Sequence, residues 1–203
     1  MSVRLHAAPV PALRRPVGWS VKPLLVGEAN PYSRRPDDAL LPWPEGASGH
    51  RLSRLLGLSA DDYVAAFERR NLCGMVWDTR RAREEAVRIE AGPHRVLVLL
   101  GSKVRAAFGV RRDPFTVDVT PTERVYVHLP HPSGRSREWH RVGAAALARR
   151  LVSPYIRDCE FPRYLEVVCP LCDAPPGEHC PPTQRYGMIP DRSTHTERKL
   201  VCA

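Results

Sequence analysis

The six residues Arg95–Leu100 (RVLVLL) limit the fold of this chain more than any other stretch. Unbroken apolar residues project to both faces of a strand, so both faces must be covered. The run stops at Gly101 and leads into a helix predicted over 102–108. Pro23-Leu24-Leu25-Val26-Gly27 repeats the pattern as a short buried strand closed by a glycine turn. A third strand is predicted over 124–129, stopping at Pro130-His131-Pro132. Helices are predicted over 48–56, with Leu52, Leu55 and Leu56 on one face, and from the cap Ser59 to about Arg70. Two more are predicted over 78–90, with Ala82, Ala86 and Ile89 as the apolar stripe, and over 137–151. Strands alternating with helices, over connections too long for hairpins, imply an α/β fold: three αβα layers around a short central parallel sheet. Ligands in such sheets bind at the carboxyl ends of the strands.

The rest of the chain divides by composition. Residues 1–21, rich in Pro and Arg, read as an N-terminal arm, and 158–203 as a small cysteine-bearing module. Between them, 22–157 forms the main domain, with a long Pro- and Gly-rich loop over 28–49. With 203 residues and 43% hydrophobic residues, the chain can bury a real core. Lys and Arg outnumber Asp and Glu by 31 to 22, a formal charge of +9. That excess favours a polyanionic partner, nucleic acid before an anionic membrane surface; a basic surface kept for solubility is the plainer alternative. No apolar run approaches the roughly 18 residues that span a bilayer. Pro and Arg interrupt the N-terminus, so it supplies no secretory segment. A cytoplasmic protein with reduced thiols is expected.

Three polar clusters lie at element ends. Gly27-Glu28-Ala29-Asn30-Pro31-Tyr32 follows the first strand. Glu28 and Asn30 each carry groups able to orient a water, and Tyr32 offers an aromatic wall; a structural turn is the competing reading. His131-Pro132-Ser133-Gly134-Arg135-Ser136-Arg137 follows the last strand. His131 there can donate to a developing negative charge, and Ser133 with the following N–H groups can hold a phosphate. Asn71-Leu72-Cys73 follows the helix predicted to end near Arg70; Asn71 can read a base edge or cap a turn.

In order, GEANPY, NLC, VLVLLGSKVRAAFG and VYVHLPHPSGRSREWH resemble the uracil-DNA glycosylase superfamily over about Lys22 to Leu151. GEANPY mixes the GEA and NPG or DPY forms seen in different branches of that superfamily. The resemblance implies a DNA glycosylase that flips uracil or a 5-substituted pyrimidine out of DNA and hydrolyses its N-glycosidic bond. It further implies that Asn30 orients the attacking water, with Glu28 a second candidate. Gly27, Ala29, Tyr32 and Asn71 would line the base site, with Asn71 bonding the flipped base. His131 would stabilise the departing anion, and Ser133, Gly134, Arg135, Ser136 and Arg137 would form the DNA-gripping loop. Two departures stand out. Arg135 occupies the position where a leucine commonly wedges into the stack, and Asn30 activates water less well than a carboxylate. The four cysteines of the cluster-bearing branches are missing, so no iron–sulfur cluster is expected and Cys73 reads as a buried thiol.

Cys169-Pro-Leu-Cys172, Cys180 and His195 fit a tetrahedral, structural Zn²⁺ site, with Cys202 and His179 as alternatives for the fourth ligand. So short a segment cannot build a core unaided, so the metal would supply its folding energy. The tail resembles zinc-ribbon-like modules of phage and actinobacterial proteins. Arg185, Arg192, Arg198 and Lys199 would add a DNA contact, or the unit would clasp the main domain. The whole is expected to be a monomer acting on single- or double-stranded DNA, without a membrane, in a bacterial nucleoid or a phage-infected cell. A non-hydrolysing reader of a modified base is the alternative from another class.

Overall fold

In the computed structural model, which describes residues 21–30, 32, 33, 35 and 38–156, the apolar runs pair into one five-stranded sheet. Its strands are β1 (Leu24–Gly27), β2 (Glu68–Asn71), β3 (Val96–Leu100), β4 (Thr116–Val119) and β5 (Val125–Leu129), in the order β2-β1-β3-β5-β4. β2, β1, β3 and β5 are parallel; β4 alone runs antiparallel, against β5. The α/β architecture is therefore as expected, with one antiparallel edge added. The arm, the cysteine-bearing module and Pro31 lie outside the described residues.

Alternation along the strands builds the two outer layers. Leu25, Val98, Leu100, Val127 and Leu129 face one way and pack under α1 (Ser48–Leu56), α2 (Ala60–Ala66) and α5 (Ala144–Val152). Leu24, Val26, Leu97, Leu99 and Tyr126 face the other way, beneath α3 (Thr79–Glu90) and α4 (Ser102–Ala107). Each fully buried Val or Leu contributes about 1.5–3 kcal/mol, which is why such short strands suffice.

Two expectations need correction, and one strand was not anticipated. The helix predicted to Arg70 ends at Ala66, and Glu68–Asn71 is an edge strand. Its charged residues have good helix propensity, but pairing with β1 in the register Gly27↔Asn71 outweighs it. The helix predicted over 137–151 is broken: a 3-10 turn covers Arg137–His140, and α5 begins only after Gly143, whose φ is 79°. β4 had no sequence expectation; it is held by its ladder with β5 and by the Asp118 carboxylate, which meets the buried His128 at 3.0 Å.

Candidate functional site

Chain topology puts a switch point, where sheets of this kind open a crevice, at the carboxyl ends of β1 and β3. From β1 the chain moves to β2 on one side and then to β3 on the other, so the loops leaving β1 and β3 diverge. Beyond β1, the ladder with the β2 side continues through Leu72 N–H to the Gly27 carbonyl and Cys73 N–H to the Glu28 carbonyl, both 3.0 Å. These bonds fix Asn71 directly across from Gly27. A Cβ on Gly27 would fall 2.2 Å from Asn71 Oδ1, so the asparagine side chain lies over the bare glycine backbone. Asn71 is 3% exposed, and its amide lies over the Gly27 backbone. An amide carries a donor and an acceptor side by side.

Glu28 and His131 come together over Gly101. A Cβ there would lie 3.1 Å from both Glu28 Oε1 and His131 Cβ. Gly101 also adopts φ 97°, so sterics and backbone both exclude a side chain at the head of β3. Lys103, the second residue of α4, pairs with Glu28 at 3.3 Å and stands 5.6 Å over the Trp77 ring. Sequence reasoning passed over Lys103; its place two residues after the glycine ending β3 was the available signal. His131 Nδ1 accepts the Ser133 N–H at 3.2 Å. In the neutral ring the proton must then sit on Nε2, which makes that nitrogen a donor. Burial holds the His131 pKa below the ordinary histidine value; Glu28 pulls it back up and Lys103 lowers it further. The ring is thus kept neutral at pH 7 with a directed N–H.

The remaining members of the first loop are placed otherwise than the resemblance implied. Asn30 Nδ2 donates to the Asp38 carbonyl at 2.8 Å, and its Oδ1 accepts the Tyr32 N–H at 3.0 Å. Both ends of this amide are engaged in holding the loop, which leaves only spare acceptor capacity for a water. The same turn throws Tyr32 outward, where it is 94% exposed. Ala29 is half-buried and packs against the layer under α3 and α4.

Across the crevice, the loop after β5 is tied internally. Ser136 N–H donates to the Ser133 carbonyl, its hydroxyl donates to Glu138, and Trp139 Nε1 donates to the His131 carbonyl. Gly134 and Arg135 are exposed at the tip, and Arg137 begins the 3-10 turn. A Cβ on Gly134 would come within 2.0 Å of the Arg51 guanidinium, so this α1 arginine lies across the glycine. A groove of about 470 Å³ opens here, lined by His50, Arg51, Arg54, Ser133, Trp139 and His140 among others. None of Asn71, Glu28 and His131 lines it. α1 and its arginines were read from sequence only as a core helix.

A second recess of about 220 Å³ lies at the opposite end, where β1 and β2 begin. Its charges are largely self-neutralised, Arg70 and Arg88 both pairing with Glu85. Cys73 is a buried free thiol, as expected, exchanging 3.4 Å contacts with the N–H and carbonyl of Asp78. Among the described residues no group of three or more His, Cys, Asp or Glu side chains is placed to hold a metal ion, and no helix is long and apolar enough to cross a membrane. The candidate ligands Cys169, Cys172, Cys180 and His195 lie outside the described residues. No protein-family model matches the chain, and no curated protein matches it.

Proposed function

We propose that the protein is a DNA glycosylase that takes an extruded uracil or 5-substituted pyrimidine into the crevice between β1 and β3. The observations that carry this reading are the Asn71 amide lying over Gly27 and, over Gly101, His131 with its Nε2 donor meeting Glu28. Asn71 pairs with the acceptor–donor edge of the pyrimidine, and His131 donates to the oxygen where charge collects as the base leaves. The C1′–N1 bond breaks with its electron pair going to the base. Water adds at C1′, and its proton passes to a carboxylate. Glu28 suits that step better than Asn30, whose amide is already engaged at both ends. The groove lined by His50, Arg51 and Arg54 grips the strand through its two guanidinium groups, offsetting the few kcal/mol that extrusion costs. The C-terminal cysteines and His195 would add a structural zinc unit, a reading that rests on their spacing.

The engaged Asn30 also favours a second reading: a module that binds a modified base in the same pocket without hydrolysing it. Labelled single- and double-stranded oligonucleotides carrying uracil, thymine or 5-hydroxymethyluracil separate the two. Alkali-sensitive breaks at one base, reduced about a hundredfold in His131→Ala, support the glycosylase. Selective binding with no breaks supports the reader, and neither cleavage nor preference refutes both.

A further inference from the structure

Among the described residues seven large apolar side chains are exposed: Tyr32, Trp43, Met75, Val76, Val87, Val119 and Val142. Three of them stand on just two loops, those leaving β1 and β2 beside Asn71. The loops are joined by the Asn30 N–H to the Gly74 carbonyl at 2.8 Å, which brings Tyr32, Met75 and Val76 to one rim of the crevice. Val76 is 79% exposed and Met75 46%. Their exposure comes from a braced loop. Cys73 Sγ bridges to both backbone groups of Asp78, Trp77 Nε1 donates to Thr79 Oγ1 at 3.3 Å, and Lys103 lies over the Trp77 ring. The chain thus holds an apolar tip in water, a few residues from its candidate site. Cations follow it closely: Arg81 in the first turn of α3, with Arg80 paired to Glu84 and Lys103, over Trp77, paired to Glu28.

We infer that Met75 and Val76, with Tyr32 beside them, are the wedge that enters the base stack of duplex nucleic acid next to the nucleotide being extruded. Two or three side chains fall far short of the roughly 800 Å² per partner of a stable protein interface. They do match the apolar wedges that unstack a single base step while cations behind them meet the phosphates. The sheet order puts this rim on the β1–β2 side and the Arg51–Gly134 rim on the β5 side, with β3 between. One rim holds the strand by charge and the other fills the vacated stack. Arg135, at the tip of the β5 loop, then serves phosphate and not the stack.

The inference rests on the nucleic-acid reading above, and unstacking tests it without base release. The probe is a duplex with 2-aminopurine next to a uracil–adenine pair, compared with the same strand alone. Wild type should raise 2-aminopurine fluorescence in the duplex on binding. In Met75→Ala/Val76→Ala the rise should vanish, and the ratio of duplex to single-strand affinity should fall roughly ten- to a hundredfold, the cost of two lost apolar side chains. Val76→Leu, which keeps a large apolar side chain at the tip, should keep the rise. Exposure at these positions predicts an unchanged Tm, which separates the effect from misfolding. The wedge is overturned if the double variant unstacks the duplex as well as wild type, or loses duplex and single strand equally. It is also overturned if the variant loses only binding to vesicles containing phosphatidylserine, which would make the tip a membrane contact. Wild type binding neither DNA would refute the nucleic-acid reading itself.

Discussion

Gly27→Ala probes the centre of the proposed site with a single methyl group. Gly27 ends a regular strand and its φ is not in the left-handed region, so alanine carries no backbone penalty there. All of the cost is steric. The new carbon would lie 2.2 Å from Asn71 Oδ1 and 3.2 Å from Leu40 Cδ1, and the first contact is untenable. Overpacking of this kind costs about 1–3 kcal/mol unless the neighbour moves. Asn71 is buried, so moving means leaving its place over β1, and with it the hydrogen bonds proposed for the base. At about 0.5–1.5 kcal/mol for each of two bonds, base release or base binding should fall roughly ten- to a hundredfold. The decisive measurement is a double-mutant cycle with Asn71→Ala, followed by urea denaturation. In the Asn71→Ala background the methyl enters vacated space, so Gly27→Ala should cost close to nothing, a coupling of about 1–3 kcal/mol. An equal cost in both backgrounds, or none in either, would refute the geometry from which the base site is argued.

Gly134→Ala makes a contrasting case, because its 2.0 Å clash is with the flexible end of Arg51. Stability should hardly change. DNA affinity should fall, and the slope of log K against log salt should drop by about one counterion as the guanidinium is displaced. A third prediction concerns acid stability. Burial lowers the His128 pKa more than Asp118 raises it, with Arg105 and Arg112 lowering it further, and His131 is depressed by burial in the same sense. Below about pH 6.5 the unfolded chain then binds more protons than the native one, so stability is present above that pH and declines as pH falls. Each histidine contributes at most about 1.4 kcal/mol per pH unit. Denaturation midpoints at pH 7.5 and 5.5 should show the decline, weakened in His128→Gln; an equal decline in that variant would refute the assignment to His128.

Much of the frame was legible because burial on both faces of a strand has an unmistakable pattern. β1, β3 and β5 lie within a residue of their predicted bounds, and α1, α3 and α4 likewise. β2 was not legible, since Glu68-Arg69-Arg70-Asn71 has no apolar pattern of its own and is a strand only by pairing with β1. β4 is short and half-exposed, and is ordered by β5. The site divides in the same way. Glu28, Asn71 and His131 could be named from their positions after apolar runs. The engagement of Asn30 with Asp38, eight residues on, could not, and neither could the outward placement of Tyr32 that follows from the same turn.

By itself the sequence determined the layered α/β fold, the basic surface and the glycine- and proline-bounded loops at the strand ends, because hydrophobic period and turn chemistry are local properties. Only the tertiary structure decided which polar groups are spoken for. Asn71 lies over β1 because Gly27 leaves room for it, Glu28 and His131 meet because Gly101 has no side chain, and Arg51 reaches the β5 loop because Gly134 lets it pass. Each of these depends on close approach between residues far apart in the chain, and a linear pattern carries no record of such distances.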